Sequence, residues 1–401
     1  MKKTVFSVLL AVLAAMTFSF AAFAEVAVED ESYYAAFRDK GITLNVYNWG
    51  EYISDGSDDS VDVIKEFEEI SGIKVNYTLF DTNEDMYAKV VHGGSQYDII
   101  IPSDYMIARL IDEDRLEKLD FDKIPNISLI DDKYRFTDFD PEGAYTVPYT
   151  WGMVGLVYNT KYVTAEEAST WDVLWNEKFK GKVLMFGNSR DAFGIALKKL
   201  GYSLNTENLE EIDKAADALK AQKAVNQMYA MDQTFDKMAN ENAYAAPYYA
   251  GDCLTMMERN ENLAFSYPKE GVNQFIDSVC IPKGTTNKDA AEAFINFLCE
   301  TEIAVANCEF ISYFTPQTKA MEIVGVDERI QPTEEALENS ETFVMLGDEA
   351  NSHMEDLWLQ IRSTSMFDSP IYLLALILLL ALVIFIILYV VRKKKNSKID
   401  Y

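Results

Sequence analysis

The sequence lacks most of the features by which enzymes are recognised. Its 401 residues include only two histidines, His92 and His353. It has no GxSxG motif, no glycine-rich phosphate-binding loop and no cluster of residues with the spacing of metal ligands. These absences argue against hydrolytic, nucleotide-dependent and metal-dependent chemistry. We therefore expect a protein that is not an enzyme and has no catalytic residue, no cofactor and no metal site.

Basic residues are scarce relative to acidic ones. The chain has 36 Lys and Arg against 65 Asp and Glu, and its formal net charge is −29. This balance excludes an ordinary nucleic-acid-binding protein, which needs a basic surface. A negative field favours cationic partners, although salt screens it within ~8 Å. Solubility explains the same charge, so charge alone does not identify a partner.

The N-terminal segment is typical of a secretory signal peptide. Residues 1–24 begin with Lys2 and Lys3, continue with an apolar stretch and end in Ala-Phe-Ala. We expect the domain that follows to be exported. Residues 25–40 are acidic and irregular in pattern, and we interpret them as a short spacer.

A second apolar stretch lies near the C-terminus. Residues 371–391 carry no charge over 21 positions, which is long enough to span a bilayer as a helix. Arg392 and the lysines after it predict that the tail, residues 392–401, is cytoplasmic. The exported domain would then lie outside the cell, joined to this membrane anchor by a short connector, residues 363–370.

Cysteine occurs at four positions, all in the part expected to be exported. Three pairings are possible, and the sequence does not choose among them. The signal peptide has no cysteine that could carry a lipid, so the C-terminal helix is the only anchor visible in the sequence. The four residues are Cys253, Cys280, Cys299 and Cys308.

Strand patterns alternate with helical patterns in the first part of the exported domain. Strands are expected at residues 42–48, 73–79 and 97–102, and helices at 61–70 and 83–91. This order is typical of an α/β fold with a mainly parallel sheet covered on both faces. Functional side chains are then expected at the carboxyl ends of strands. Four candidates follow strands in this way: Trp49, Tyr52, Ser103 and Tyr105.

The remaining patterns are also a mixture of strands and helices. The long extended stretch at residues 145–159 is expected to be a hinge strand, with Tyr145, Tyr149 and Trp151 in its core. Asn188 and its neighbours are expected to cap a helix at residues 192–200. The other expected elements are a short helix and turn at 171–181, a strand at 182–186, and helices at 207–224, 288–298, 302–308 and within 334–362.

Residues 267–282 indicate where a ligand would bind. Phe275 and Asp277 are two residues apart in an apolar stretch, and alternate residues of a strand face the same side. The two side chains would present a flat apolar face beside a negative charge. That combination suits a cation with an alkyl body.

Several ordered motifs resemble those of the spermidine/putrescine-binding proteins of ABC importers. The likeness extends over about residues 42–361. In chain order the motifs are YNWGEY (47–52), NEDMYAKV (83–90), YDIIIPSDY (97–105), VPYTWG (147–152), TWDVLW (170–175), FKGKVLM (179–185), ALKKLGYS (196–203), YPKEG (267–271), FIDS (275–278), AFINFL (293–298) and SYFTP (312–316).

The resemblance implies a two-lobed fold of the type II periplasmic-binding-protein kind, with a hinge and with the ligand between the lobes. The N-terminal lobe would comprise residues 40–150 and 277–321, and the C-terminal lobe residues 151–276 and 322–362. The resemblance also implies a substrate-binding component of a polyamine transporter. Its partner would be an ABC permease in the same membrane.

The resemblance further implies a set of ligand contacts. Acids fall on Asp191, Asp252 and Asp277, and polar contacts on Ser103 and Asn188. Asn188 stands where spermidine-preferring relatives have Asp, so the choice between spermidine and putrescine stays open. The aromatic walls fall on Trp49, Tyr52, Tyr105, Tyr249, Phe275 and Tyr313.

These residue types suit a polyamine chemically. Each buried ammonium needs a carboxylate, because burying it unpaired costs several kcal/mol or more. Aromatic faces cover the methylene groups and add cation–π attraction of ~0.5–2 kcal/mol. Asp191 would lie at a helix N-terminus, where we expect the helix dipole to keep it ionised.

Other interpretations remain open. Asp191 and Asp252 could serve only as helix caps, and Trp49 and Tyr52 only as packing between the lobes. Glu51 is expected to be solvated. The alternative functions are the binding of another small organic ligand, such as a sugar or an amino-acid derivative, and a membrane-tethered sensor domain.

Overall fold

The computed structural model describes residues 26–93, 96–363 and 378. The expected signal peptide, most of the connector, and the expected membrane helix and tail (apart from residue 378) lie outside the described residues. Within the described part of the chain, no helix is both long enough and apolar enough to cross a bilayer.

The strands of the described residues form one continuous sheet. They are β1 Thr43–Trp49, β2 Lys74–Phe80, β3 Ile99–Ile100, β4 Thr146–Asn159, β5 Val183–Phe186, β6 Asn226–Ala230, β7 Ala245–Tyr249, β8 Leu263–Ser266, β9 Asn273–Cys280 and β10 Glu341–Thr342. Their spatial order is β2-β1-β3-β9-β4-β7-β5-β6, with β10 beside β9 and β8 beside β4.

Helices occupy most of the connections between the strands. They are α1 Glu31–Ala35, α2 Val63–Ser71, α3 Asn83–His92, α4 Asp104–Asp112, α5 Asp132–Arg135, α6 Ala165–Ala168, α7 Ser189–Lys199, α8 Leu209–Gln222, α9 Gln233–Ala239, α10 Ala250–Arg259, α11 Lys288–Leu298, α12 Thr301–Ile311, α13 Thr318–Val324, α14 Glu334–Glu338 and α15 Asp348–Arg362.

The centre of the sheet is antiparallel. β1 pairs in parallel with β2 and β3, and β5 pairs in parallel with β6 and β7. Between these groups β9 pairs antiparallel with β3 and β4, and β4 pairs antiparallel with β7. The expectation of a mainly parallel sheet is therefore wrong for the centre, because β4 and β9 run in opposite directions across it.

Strand β4 connects the two halves of the molecule. Its first part, up to Met153, pairs with β9, and its second part, from Val154, pairs with β7. Tyr149 is buried, and its hydroxyl donates to the Tyr52 carbonyl at 2.9 Å. The backbone N–H of Trp151 donates to the Phe314 carbonyl at 2.9 Å. These contacts are consistent with a packed hinge strand.

The buried side chains separate into groups on either side of this connection. One group draws its members from residues 153–272 and 314–361. Two further groups draw theirs from residues 34–149 and 275–313. The molecule therefore has the two-lobed α/β architecture that the sequence predicts. The predicted lobe boundaries, which stay a proposal, lie close to the divisions between these groups.

The expectation that residues 25–40 form an irregular spacer is wrong for the middle of that segment, which forms α1. Asp30 caps this helix by accepting from the backbone N–H of Ser32 at 3.0 Å. Tyr34 is fully buried, and its hydroxyl donates to Glu300 Oε1 at 2.6 Å. That partner is 266 residues away, so local sequence gave no signal for this contact.

Other differences are smaller. The strand expected at residues 97–102 is reduced to the two residues of β3, and the region 334–362 is interrupted by β10. Residues 171–181 contain two 3-10 helices, Trp171–Trp175 and Glu177–Phe179. The patterns of β6, β8, α9 and α13 were not recognised. All four cysteines are buried and free, so none of the possible pairings is formed.

Candidate functional site

A cleft of about 770 Å³ lies between the lobes. All the site residues predicted from the sequence line it, although they come from six separate segments of the chain. They are Trp49, Tyr52, Ser103, Tyr105, Asn188, Asp191, Tyr249, Asp252, Phe275, Asp277 and Tyr313. Their role in binding is not tested by this arrangement and stays a prediction.

The ends of β1 and β3 supply one wall of the cleft. Trp49 is the last residue of β1, and its indole Nε1 donates to the carbonyl of Ile101 at 2.9 Å. Its ring lies against Phe80, with 4.4 Å between the ring centroids. Ser103 is the N-cap residue of α4, and Tyr105 follows in the first turn. These side chains are held by backbone and ring contacts of the N-terminal lobe.

Asp277 is buried at the centre of the cleft, with 4% of its surface exposed. The hydroxyl of Tyr52, which also contacts the Thr150 hydroxyl, donates to Asp277 Oδ2 at 2.6 Å. Oδ1 accepts no well-formed hydrogen bond from any described residue. Burial raises the pKa of Asp277 to about 6, although the hydroxyls of Tyr52 and Ser103 lower it. Phe275 lines the same cleft from two residues earlier in β9.

Asp191 lies in the first turn of α7. Asn188 caps this helix: its Oδ1 accepts from the Asp191 backbone N–H at 2.8 Å, and its Nδ2 donates to Asp191 Oδ2 at 2.8 Å. The Tyr249 hydroxyl donates to the same oxygen at 2.9 Å. Burial raises the pKa of Asp191, and this direction is opposite to the one expected from the helix dipole. The hydrogen bonds from Asn188 and Tyr249 and the charge of Arg190 lower the same pKa, and the expectation that the helix dipole keeps Asp191 ionised stays a prediction.

Asp252 lies in the first turn of α10, directly after β7. It accepts a hydrogen bond from the Tyr313 hydroxyl, with 2.8 Å between the two oxygens. The Tyr313 ring packs edge-on against Tyr52 at 5.2 Å between centroids. Burial, with a smaller contribution from the charges of Asp232 and Glu51, raises the pKa of Asp252 to about 8, although the hydrogen bond from Tyr313 lowers it. Glu51 itself is exposed, in line with its expected solvation.

Several lining residues were missed by the sequence argument. Four of the missed residues are acids. One of these, Asp104, is fully buried and accepts a hydrogen bond from the backbone N–H of Tyr105 at 2.7 Å. The acids Asp81 and Glu84 follow the carboxyl end of β2, so applying the strand-end rule to that strand would have found them. The missed polar and aromatic residues of the lining are Phe80, Asp81, Thr82, Asn83, Glu84, Asp104, Asp232, Tyr248, Asn273 and Phe343.

The electrostatics of the cleft have one sign. Its lining includes seven carboxylates and, within the described part of the chain, no lysine, arginine or histidine. Burial raises the pKa of Asp104 and Asp277, because neighbouring groups do not fully replace the solvation that the charged carboxylates lose. Across the described ranges, no three His, Cys, Asp or Glu side chains are grouped so as to hold a metal ion. A lining of acids and aromatic rings is chemically suited to an organic cation with apolar surface.

Comparison with known proteins agrees with this geometry. Residues 62–332 match the family model described as bacterial extracellular solute-binding protein. The chain is 31% identical over 312 residues to the spermidine/putrescine-binding periplasmic protein of Escherichia coli (strain K12), covering 77% of this chain and 88% of that protein. It is also 31% identical over 343 residues to a putrescine-binding periplasmic protein of Pseudomonas aeruginosa, covering 80% and 92%.

A solved structure is also similar to this chain. The spermidine/putrescine ABC transporter substrate-binding protein of Streptococcus pneumoniae superposes with a TM-score of 0.67 at 35% sequence identity. The match covers 80% of this chain and 99% of that one.

Proposed function

This chain belongs to the bacterial extracellular solute-binding protein family, and we propose that it is the polyamine-binding component of an ABC transporter. The relatives named above are binding proteins of transporters rather than enzymes, in agreement with the sequence analysis. The ligand is putrescine or spermidine, captured between the lobes and delivered to a permease.

One observation carries this proposal. Asp277 is a buried carboxylate whose Oδ1 accepts no well-formed hydrogen bond from a described residue, in a cleft where the described lining has seven acids and no base. A sugar or an anion would leave these charges uncompensated, and an unpaired buried charge is strongly unfavourable. An alkyl polyammonium ion supplies several charges and enough donors to satisfy them.

The predicted contacts take separate roles. Asp277, Asp191 and Asp252 each pair with an ammonium group, while Ser103 and Asn188 orient the adjacent carboxylates. The aromatic rings of Trp49, Tyr52, Tyr105, Tyr249, Phe275 and Tyr313 enclose the methylene chain and contribute cation–π attraction.

The proposed location follows from the ends of the sequence. A signal peptide exports the domain, and the apolar segment 371–391 holds it on the outer face of the membrane with residues 392–401 in the cytoplasm. The anchor keeps the binding domain close to a permease in the same bilayer.

Calorimetric titration of the full-length chain in detergent tests the function. Putrescine and spermidine are the probes, and glucose, glutamate and γ-aminobutyrate are the controls. We expect saturable binding of at least one polyamine and none of the controls. Tight binding of a control in the absence of polyamine binding would refute the proposal.

A further inference from the structure

One end of the cleft contains a polar group that nothing in the sequence argument uses. Asn273, the first residue of β9, lines the cleft and is only 7% exposed. Its side-chain oxygen Oδ1 has no hydrogen-bond partner within the described ranges. A buried amide oxygen without a donor is unfavourable, and such groups in native proteins normally have a partner.

Two carboxylates lie at the same end. Asp191 and Phe343 line a small adjoining cavity together with Asn273, so these three side chains are neighbours. Glu84 is close to Asp191: burial and the charge of Glu355 raise the pKa of Glu84 to about 7, and the charge of Asp191 adds to the rise. The Tyr105 hydroxyl donates to Glu84 Oε1 at 2.9 Å and fixes its position.

The nearby Arg190 does not supply the missing donor. Its guanidinium lies 4.4 Å from the centroid of the Phe343 ring. Nη2 donates to Asn205 and to the Val344 carbonyl, and neither Nε nor Nη1 reaches an acceptor in the described part of the chain. Asn188 contributes an amide rather than a charge. Lys198, which lines the same small cavity, pairs with Glu341, and the charge of Arg190 acts on Asp191 without a hydrogen bond between them. Within the described residues, Glu84, Asp191 and Asn273 thus present acceptors that no cation contacts directly.

We propose that Glu84 and Asn273, together with Asp191, form the subsite for a terminal ammonium group of a triamine such as spermidine. This inference rests on the proposed function. An ammonium has three N–H donors and one charge, which matches two carboxylates and an amide oxygen. Glu84 belongs to α3 on one side of the cleft and Asp191 to α7 on the other, so the subsite is complete only when the lobes are closed. Asp277 and Asp252 remain for the other two nitrogens.

Substitutions at both positions test the subsite with spermidine titrated into the full-length chain in detergent. We expect Glu84→Gln and Asn273→Leu each to weaken spermidine binding by roughly tenfold or more, because the first removes a negative charge and the second removes the amide acceptor. Asn273→Asp keeps an acceptor and adds charge, so it should bind at least as tightly as the parent. Glu69→Gln, an exposed change on α2, is the matched control and should have no effect.

The outcomes separate the subsite from the function. Absence of all polyamine binding by the parent would refute both. Spermidine binding by Glu84→Gln and Asn273→Leu that equals the parent's would overturn the subsite alone. Loss of binding in both Asn273→Leu and Asn273→Asp would show a structural role and overturn it too. The subsite would also be overturned if the protein bound calcium more tightly than spermidine and these substitutions abolished the calcium binding. The acceptors would then be metal ligands.

Discussion

Asp277 is the residue through which the charge of the ligand acts most directly. We expect Asp277→Asn to weaken polyamine binding by about 2–5 kcal/mol, because one partner of a buried ion pair is lost while the other stays desolvated. Calorimetry measures the change, with circular dichroism to check the fold. Asp122→Asn, an exposed change in the same lobe, serves as control. A loss of less than a factor of ten with an intact fold would contradict the role of Asp277.

The raised pKa values make binding depend on pH. The pKa of Asp277 is about 6 and that of Asp252 about 8, so protons compete with ligand ammonium groups for both carboxylates. Affinity should therefore rise as pH increases through about 6 and then 8, and binding near neutral pH should release protons. Titrations in buffers of different ionisation enthalpy measure this release. Asp252→Asn should abolish the upper part of the rise.

The same raised pKa values also affect the stability of the unliganded protein, which should fall as the pH rises, whereas the affinity should rise. Both folded-state pKa values lie above the usual value for Asp, so the folded state holds protons that the unfolded state has lost. The stability contributed by these groups is complete below about pH 4 and is lost as pH rises through about 6 and 8. The contribution of these two residues to the free energy of unfolding should therefore decrease as pH rises over that range. A contribution that increases instead would contradict the assignment.

At the scale of single elements, the start of α10 lies close against residues 312 and 313 of the other lobe. Gly251 faces Ser312 and the Tyr313 ring, and a Cβ at Gly251 would lie 2.6 Å from the Ser312 carbonyl. We expect Gly251→Ala to hold the lobes apart and to weaken polyamine binding by about 1–3 kcal/mol. The melting temperature of the unliganded protein should change little, because the lobes can separate.

Small-angle scattering with and without ligand tests this effect. The parent should contract on binding, and Gly251→Ala should contract less. Gly347→Ala is the control, since its Cβ would meet only the flexible Glu207 carboxylate at 3.3 Å. Equal contraction and affinity in Gly251→Ala and the parent would show that this approach does not limit closure.

For the whole molecule, the expected C-terminal anchor makes a separate prediction. Truncation before residue 369 should give a secreted, soluble domain with unchanged polyamine affinity but impaired uptake by the native cell. Tethering raises the effective concentration of the domain near a permease without adding any contact to the ligand. Fractionation, calorimetry and uptake of labelled putrescine measure the three parts. Loss of binding by the truncated form in solution would place the helix in the site instead.

Much of the fold was accessible from local pattern. The cap of α7 at Asn188 and the bounds of α11 are set by residues close in sequence, and the expectations there were close or correct. The antiparallel centre and α1 were not, because the direction of β9 and the burial of Tyr34 depend on partners far along the chain.

The site divides in the same way. Alternation along β9 was enough to put Phe275 and Asp277 on one face, and motif likeness was enough to select the other candidates. Asn273 and Glu84 were missed although local rules point to both: Glu84 follows the end of β2, and Asn273 alternates with Phe275 and Asp277 along β9. Only the folded molecule shows that both lie at the end of the cleft that contains Asp191.

The sequence by itself therefore determined the class of protein, the sign of the site and most of its candidate residues, since charge, alternation and motif order are properties of the chain. Only the tertiary structure decided the state of those residues. Burial depends on the packing of both lobes. The raised pKa of Asp191, the lack of a well-formed hydrogen bond to Asp277 Oδ1 and the unpaired amide oxygen of Asn273 therefore appear only in the folded molecule.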